Sequence, residues 1–470
     1  MVLNFTLVNL FTNAPWLYYY IIDLESIFGG ILSEKFRIKG ATPLRGEVSI
    51  GGAKNAVLKL MAAAILAKGA TTIYNVPDLT DVDIMLSVIE GLGTKIKHDK
   101  IEKSVTIDAT DITSITAKYE LVSKMRASFI ILGALVSRCK EAIVALPGGC
   151  AIGERRVDFH IKGLEALGAK IKIENGYVHA KVSKLVGADV YLDIPSVGAT
   201  ENLMLAAVLA EGATRIQNAA QEPEIIDLAN FLNTMGADVS GAGTSEIVIN
   251  GVKAEDLHPI EYTTIPDRIE AGTYMAAIVA TKGKAIIRNI FPGHLTFFND
   301  KLLKMGANIK LIEPTAIEVS CKNKLNAINF VTQPYPGFPT DLQSMAMTLL
   351  TTADGVGIIT ESLYENRFMQ VPDLRRMGAD IHQDRNHAII KGVKKLTGAI
   401  LCASDLRAGA SLVVAGLMAD GNSIIENLYH IDRGYENFEE KIKSLGGKIE
   451  RYVDKSEVNI TEGLHNEAHL

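Results

Sequence analysis

The chain has 470 residues and a formal net charge of −6, with 48% hydrophobic and 22% charged residues. This length exceeds what one hydrophobic core usually serves, so we expect two or three domains. The composition excludes disordered and fibrous proteins. The acidic balance disfavours a nucleic-acid-binding surface, which needs clustered Lys and Arg, so any anion site must be local.

Residues 1–33 form an N-terminal extension. Its first 22 residues carry no charge, and the stretch from Trp16 to Ile22 is strongly apolar, which raises the possibility of a membrane anchor or export signal. Asparagines and a proline interrupt the extension, and no Lys or Arg precedes Lys35, which argues against both. We expect a mis-assigned start or a disordered tail, and no membrane partner. The four cysteines lack CxxC spacing, which favours a reducing, cytoplasmic location.

Two signatures recur along the rest of the chain. The first is an amphipathic stretch that ends in a bulky residue and a glycine and continues as an alternating stretch, which predicts a helix, a C′ glycine and a strand. Its glycines are spaced 68 to 75 residues apart: Gly93, Gly168, Gly236, Gly306, Gly378 and Gly446.

The second signature is a helix of small apolar residues, then a glycine, then a strand that often ends in Asn. Such helices are apolar nearly all round, which predicts burial. In chain order the copies are Lys54 to Asn75, Ala127 to Leu146 (degenerate, with Cys139 in place of the glycine), Thr200 to Asn218, Ile269 to Asn289, Leu342 to Thr360 and Leu406 to Asn427. Together the two signatures predict an α/β fold of six repeats, three per domain.

The starts of these buried helices are the predicted binding sites. Helix N-termini present free N–H groups and a partial positive charge, so they attract anions. Most of the six starts also carry a cation, so a cleft between the domains should bind a multiply anionic ligand. The starts are Lys54-Asn55, Arg126, Ser196-Val197-Gly198, Asp267-Arg268, Asp341 and Asp405 to Arg407. For any single arginine, an ordinary surface ion pair is an equally good interpretation.

Cys150 is the candidate reactive thiol. It lies in a glycine-rich loop with Arg155 and Arg156 close behind, and cationic, exposed surroundings favour thiolate. A buried, inert cysteine is the alternative. P-loop, HExxH and catalytic serine motifs are absent from the sequence, and the ten histidines lack metal-ligand spacing, so we expect no metal and no cofactor.

From about Lys35 to Tyr452 the sequence resembles the UDP-N-acetylglucosamine 1-carboxyvinyltransferase family. The motifs that carry this resemblance are Ser49 to Asn55, Leu146 to Asp158, Pro195 to Thr200, Pro266-Asp267-Arg268, Phe338 to Asp341, Glu365 to Phe368 and His430 to Tyr435. The resemblance implies a two-domain fold of six βαβαββ repeats, arranged three per domain around buried helices. It implies a first domain at 56–265 and a second made of 34–55 plus 266–470.

The resemblance also implies the substrates, phosphoenolpyruvate and UDP-N-acetylglucosamine, and their sites. The implied phosphoenolpyruvate site contains Lys54, Asn55, Arg155, Arg367, Arg407 and Arg433. Asp405 and Gly198, at two of the helix starts, are further expected substrate-binding residues. The implied nucleotide-sugar site contains Arg126, Arg155, Arg156, Val157, Asp158, Phe159, Ile194 to Val197 (with Ser196), Asp341 and Leu363. The sequence departs from the family pattern at Ile194, where Lys is frequent, and at Ile130, where Trp is frequent.

The implied catalytic residues are Cys150, Asp341, Lys54 and Arg433. In the family's reaction, Cys150 is the acid that protonates the methylene of phosphoenolpyruvate, and we expect Asp341 to be the base at the sugar hydroxyl; its other possible role is a helix N-cap. The rival 5-enolpyruvylshikimate-3-phosphate synthase shares the fold but lacks the Cys150 loop. A catalytically silent, UDP-sugar-binding paralogue and a membrane-tethered enzyme are further alternatives.

Overall fold

The computed structural model describes residues 34–148 and 157–453. The predictions for the extension 1–33 and for Cys150, Arg155 and Arg156 therefore lie outside the described residues. The described helices are α1 (Lys54–Ala64), α2 (Thr80–Glu90), α3 (Tyr119–Val122), α4 (Ile131–Cys139), α5 (Asp158–Ala166), α6 (Val197–Ala207), α7 (Pro223–Thr234), α8 (Arg268–Ala280), α9 (Thr296–Met305), α10 (Gln343–Leu350), α11 (Val371–Arg376), α12 (Leu406–Met418), α13 (Tyr429–Asp432) and α14 (Phe438–Ser444). Short 3₁₀ turns occupy Arg126–Ile130, Pro292–Leu295 and Thr340–Leu342.

The described strands are β1 (Glu34–Lys39), β2 (Arg45–Ser49), β3 (Ala70–Tyr74), β4 (Lys95–Asp99), β5 (Ser104–Asp108), β6 (Thr116–Ala117), β7 (Glu141–Ala145), β8 (Lys170–Glu174), β9 (Tyr177–Lys181), β10 (Asp189–Tyr191), β11 (Ala213–Gln217), β12 (Asp238–Ser240), β13 (Glu246–Asn250), β14 (Glu261–Thr263), β15 (Lys284–Arg288), β16 (Asn308–Glu313), β17 (Ala316–Ser320), β18 (Phe330–Val331), β19 (Val356–Thr360), β20 (Asp380–Asp384), β21 (His387–Lys391), β22 (Ile400–Cys402), β23 (Asn422–Glu426) and β24 (Lys448–Val453).

Across the described residues, these strands form six four-stranded sheets of one design. In each sheet the first strand runs parallel to the second, and the third is antiparallel to both of its neighbours. The orders are β14-β3-β5-β4, β6-β7-β9-β8, β10-β11-β13-β12, β2-β15-β17-β16, β18-β19-β21-β20 and β22-β23-β1-β24. The predicted sixfold α/β repeat is confirmed.

The glycines of the first signature end helices in the left-handed region. All six have φ between 76° and 104°, a conformation that only glycine adopts without steric cost. In the degenerate second-signature copy, the left-handed residue is Lys140, with φ 63°, rather than Cys139, which is the last residue of α4. The sequence reading was wrong there by one position.

The apolar helices are buried, as predicted, and the buried residues form two clusters. One cluster runs from Val57 to Leu257; the other combines the segment from Phe36 to Ile50 with that from Ile269 to Ile449. Strands β1 and β2 belong to the second cluster because they pair with β24 and β15. No described helix combines the length and the apolar character that crossing a membrane requires.

The chain passes between the clusters twice, and the two passages lie side by side. The Ala53 N–H donates to the Ile265 carbonyl at 2.8 Å, and the Asp267 N–H donates to the Gly51 carbonyl at 2.9 Å. The Asp267 carboxylate also accepts from the backbone N–H of Lys54 at 3.1 Å. This pairing places the starts of α1 and α8 next to each other.

Candidate active site

The predicted starts of buried helices are confirmed, and their role as anion sites stays a prediction. α1 begins at Lys54, and the 3₁₀ turn that leads into α4 begins at Arg126. Ser196, Asp267 and Asp405 cap α6, α8 and α12, because their side chains accept hydrogen bonds from first-turn amides. Sequence reasoning therefore located the helix starts, although in α6, α8 and α12 the cap side chain already occupies first-turn N–H groups.

A repeated asparagine positions four of these starts. Each has φ between 54° and 60°, in the left-handed region that Asn tolerates better than most residues. The side-chain amide of each asparagine donates to a residue at or just after the end of the neighbouring parallel strand. That acceptor residue lies a few positions before the start of a buried helix. The pairs are Asn75 with Thr264 O (2.9 Å), Asn218 with Leu192 O (2.7 Å), Asn289 with Ile50 O (2.7 Å) and Asn427 with Cys402 Sγ (3.0 Å).

Asp341 lies between two of the predicted arginines. Arg407 Nη2 donates to its Oδ2 at 3.0 Å, and Arg367 Nη2 donates to its Oδ1. The arginine side chains are only 7% and 5% exposed, so the carboxylate compensates charges that are buried. Asp341 is not an N-cap: the cap of its 3₁₀ turn is Pro339, without a side-chain hydrogen bond.

Arg407 is held from a second side. Its Nη1 donates to the hydroxyl of buried Tyr435 at 3.2 Å. Burial acts to lower the pKa of Arg407, but Asp341, Tyr435 and Asp267 together outweigh it and hold that pKa above its usual value. Burial also raises the pKa of Tyr435, so the hydroxyl stays neutral and can accept this hydrogen bond.

A second carboxylate, Asp81 in the first turn of α2, joins two further predicted cations. Lys54 Nζ donates to its Oδ2 at 2.9 Å, and Arg433 Nε donates to its Oδ1 at 3.0 Å. Burial lowers the pKa of Lys54, the charges of Arg407 and Arg433 lower it further, and Asp81 opposes them. Because Lys54 is within the electrostatic reach of Arg407, the Asp81 and Asp341 clusters adjoin. Sequence reasoning missed Asp81, since an Asp in the first turn of a helix is ordinary dipole compensation.

The starts of α5 and α6 meet at His160, which sequence reasoning also missed. The imidazole packs edge-on against Phe129, with ring centroids 5.3 Å apart, and its Nδ1 is 2.8 Å from the Asn202 side-chain amide nitrogen. A Cβ on Gly198 would lie 3.3 Å from the ring. Burial, aided by the charge of Arg126, lowers the pKa of His160 to about 3. The neutral ring therefore links Val157, Asp158 and Phe159 to the run from Ser196 to Gly198.

The other residues that the sequence singled out lie in different local environments. Asn55 follows Lys54 in α1, and its carbonyl accepts from Lys59 Nζ at 2.6 Å. Leu363 lines a surface cavity together with Tyr364 and Arg385. Of the two departures from the family pattern, Ile130 is 3% exposed and Ile194 is 57% exposed. In residues 34–148 and 157–453, no group of His, Cys, Asp and Glu could hold a metal ion.

Comparison with known proteins places the chain in a family. The family model described as EPSP synthase (3-phosphoshikimate 1-carboxyvinyltransferase) matches residues 38–442. The UDP-N-acetylglucosamine 1-carboxyvinyltransferase 2 of Carboxydothermus hydrogenoformans is 53% identical over 90% of this chain and 100% of that relative. The chain belongs to the UDP-N-acetylglucosamine 1-carboxyvinyltransferase family. The relative of that name from Gloeobacter violaceus is 49% identical over 89% of this chain and 90% of its own length.

Solved structures agree with the family's fold. The enolpyruvyl transferase NikO from Streptomyces tendae superposes with a TM-score of 0.82, at 25% identity over 90% of this chain and 100% of that one. An EPSP synthase from Acinetobacter baumannii superposes with a TM-score of 0.69 at 19% identity, over 89% of this chain and 100% of that one. The chain is thus an enzyme of the enolpyruvyl transferase type, which acts on small-molecule substrates.

Proposed function

We propose that the chain transfers the carboxyvinyl group of phosphoenolpyruvate to the 3-hydroxyl of UDP-N-acetylglucosamine and releases phosphate. The observation that carries the proposal is the pair of adjoining cation clusters, Lys54 with Arg433 and Arg367 with Arg407. Phosphoenolpyruvate has two anionic ends, and each matches one cluster. The names of the relatives at about half identity support the nucleotide sugar as acceptor.

The reaction is an addition followed by an elimination. Cys150 donates a proton to the methylene carbon, and the sugar hydroxyl attacks the cationic carbon that results, while Asp341 takes the hydroxyl proton. The tetrahedral ketal then loses phosphate, and loss of a proton from the new methyl group restores the double bond. Lys54, Arg433 and Arg155, with Asn55, stabilise the phosphate, and Arg367 and Arg407 stabilise the carboxylate.

The contacts of Asp341 suggest how the base becomes available. Both of its oxygens accept from the arginines assigned to the substrate carboxylate. When phosphoenolpyruvate binds, its own carboxylate competes for these donors, which weakens their hold on Asp341 and lets it accept a proton from the sugar hydroxyl. The base would therefore act only once both substrates are present.

We assign the nucleotide sugar to the helix starts at Arg126 and Ser196 and to the start of α5 at Asp158. We place it against Arg126, the run from Arg155 to Phe159, the run from Ile194 to Gly198, Asp341 and Leu363. The domains, 56–265 and 34–55 plus 266–470, close on it and exclude water from the intermediate. We assign the enzyme to the cytoplasm and to the first committed step of peptidoglycan precursor synthesis.

The test is phosphate release from phosphoenolpyruvate by the purified protein. Release with UDP-N-acetylglucosamine but not with shikimate 3-phosphate is the expected result. Release only with shikimate 3-phosphate would establish the rival synthase, and no release with either acceptor would favour a silent UDP-sugar-binding paralogue. Small-angle scattering that is unchanged by the nucleotide sugar would contradict domain closure.

A further inference from the structure

Asp81 occupies a position that neither the sequence motifs nor the proposed mechanism uses. Its side chain is 3% exposed, and its two oxygens are held by different cations, Oδ2 by Lys54 and Oδ1 by the Nε and Nη2 atoms of Arg433. A buried carboxylate with both oxygens bound in this way resembles an anionic ligand more than a surface ion pair. The two cations are those assigned to the phosphate of phosphoenolpyruvate.

The same carboxylate links the two halves of the molecule. Asp81 lies on α2, which packs in the first buried cluster, and Arg433 follows α13, which packs in the second. Arg433 Nη2 also donates to the Lys124 carbonyl at 3.4 Å. Without Asp81, the largely buried Lys54 and the partly exposed Arg433 would face each other as like charges.

We propose that Asp81 is a positioning residue that acts as an internal counter-ion, holding Lys54 and Arg433 at the spacing of a phosphate group until an incoming phosphate displaces it. The proposal rests on the proposed function for the identity of the substrate, but not for the anion site itself. Asp81 thereby keeps the empty site assembled and weakens its affinity for phosphate. The phosphate released in each turnover leaves more easily because Asp81 competes for the same two cations.

The consequence is a gain of binding when the charge is removed. Asp81→Asn leaves Lys54 and Arg433, whose side chains are 12% and 34% exposed, without their carboxylate, so inorganic phosphate should bind about tenfold more tightly, equivalent to about 1.4 kcal/mol. Asp83→Asn is the matched control. Asp83 lies in the same turn of α2 and loses the same charge, but its side chain is 50% exposed and faces Lys100 and His98.

The experiment measures the dissociation constant of inorganic phosphate by calorimetry, on the full chain at fixed ionic strength. The expected order is Asp81→Asn tightest, with wild type, Asp83→Asn and the charge-retaining Asp81→Glu alike. Phosphate affinity in Asp81→Asn that equals or falls below that of wild type would overturn the proposal. If the Asn variant fails to fold, a crystal structure of wild type with phosphate decides: Asp81 still bound to both cations refutes displacement.

Turnover separates this inference from the proposed function. With both substrates, Asp81→Asn should lower the KM for phosphoenolpyruvate and also lower kcat, because product phosphate leaves slowly; loss of a purely structural ion pair would raise KM. If wild type proves inactive with UDP-N-acetylglucosamine, the proposed function fails, while the phosphate titration of Asp81→Asn still tests the counter-ion.

Discussion

Acid should destabilise the first buried cluster through His160, whose side chain is almost fully buried. The Gly133 N–H donates to Asn202 Oδ1 at 2.6 Å, which turns the Asn202 NH₂ group towards His160 Nδ1. Nδ1 must therefore accept, and a protonated ring would set N–H against N–H. Burial lowers the pKa of His160 from 6.5 to about 3. The unfolded chain thus binds this proton first as the pH falls.

Protonation of His160 lowers the free energy of unfolding as the pH falls. The stability contributed by neutral His160 is complete above pH 6.5 and is lost as the pH falls towards 3. Each pH unit in that window costs about 1.4 kcal/mol, so roughly 2 kcal/mol of the free energy of unfolding disappears by pH 5. This loss is the contribution of His160 alone, and the carboxylates of the chain add their own pH dependence to the free energy of unfolding.

Urea unfolding of wild type and His160→Asn, at intervals from pH 7.5 to pH 5, isolates the histidine. Asn retains an acceptor near the position of Nδ1 but does not titrate. Whatever the variant costs at pH 7.5, the difference in free energy of unfolding should shrink by about 2 kcal/mol at pH 5. A difference that stays constant over this range would refute the reasoning.

Three further predictions concern packing and catalysis. A Cβ at position 133 would lie 2.2 Å from the Asn202 carbonyl oxygen, so Gly133→Ala should lower the free energy of unfolding by about 1–3 kcal/mol; Gly293→Ala, with no atom within 4 Å, is the control in the same thermal unfolding assay. Cys150→Ala should slow phosphate release at least about 100-fold with an unchanged Tm, and an unchanged rate would remove the acid role. Asp341→Asn should lower kcat about 10²- to 10⁴-fold without raising the KM for phosphoenolpyruvate; a raised KM with normal kcat would contradict its role as base.

Local signals in the sequence were enough to predict the sixfold repeat and the positions of the helix starts. The C′ glycines and the strand-ending asparagines depend on backbone conformations that few residues adopt, so the residue type itself reports the geometry. The same asparagines hold the strands that lead into the buried helices, although their sequence pattern reveals only the strand ends. The family motifs predicted Lys54, Arg367 and Arg433 as site residues, and a buried-helix start together with the family resemblance predicted Arg407.

Contacts between residues far apart in the chain were decided only by the tertiary structure. Asp81 meets Arg433 across 352 positions, and His160 meets Asn202 across 42, so no local periodicity could pair them. Asp341 was assigned two possible roles from the sequence, and the structure excluded the helix cap because Pro339 is the cap of that turn. Sequence by itself determined which residues carry charge at the helix starts. Folding decided which carboxylate each cation faces. A buried charge without a partner of opposite sign is strongly destabilising, so it pairs with whichever carboxylate the fold brings close, whatever its distance along the chain.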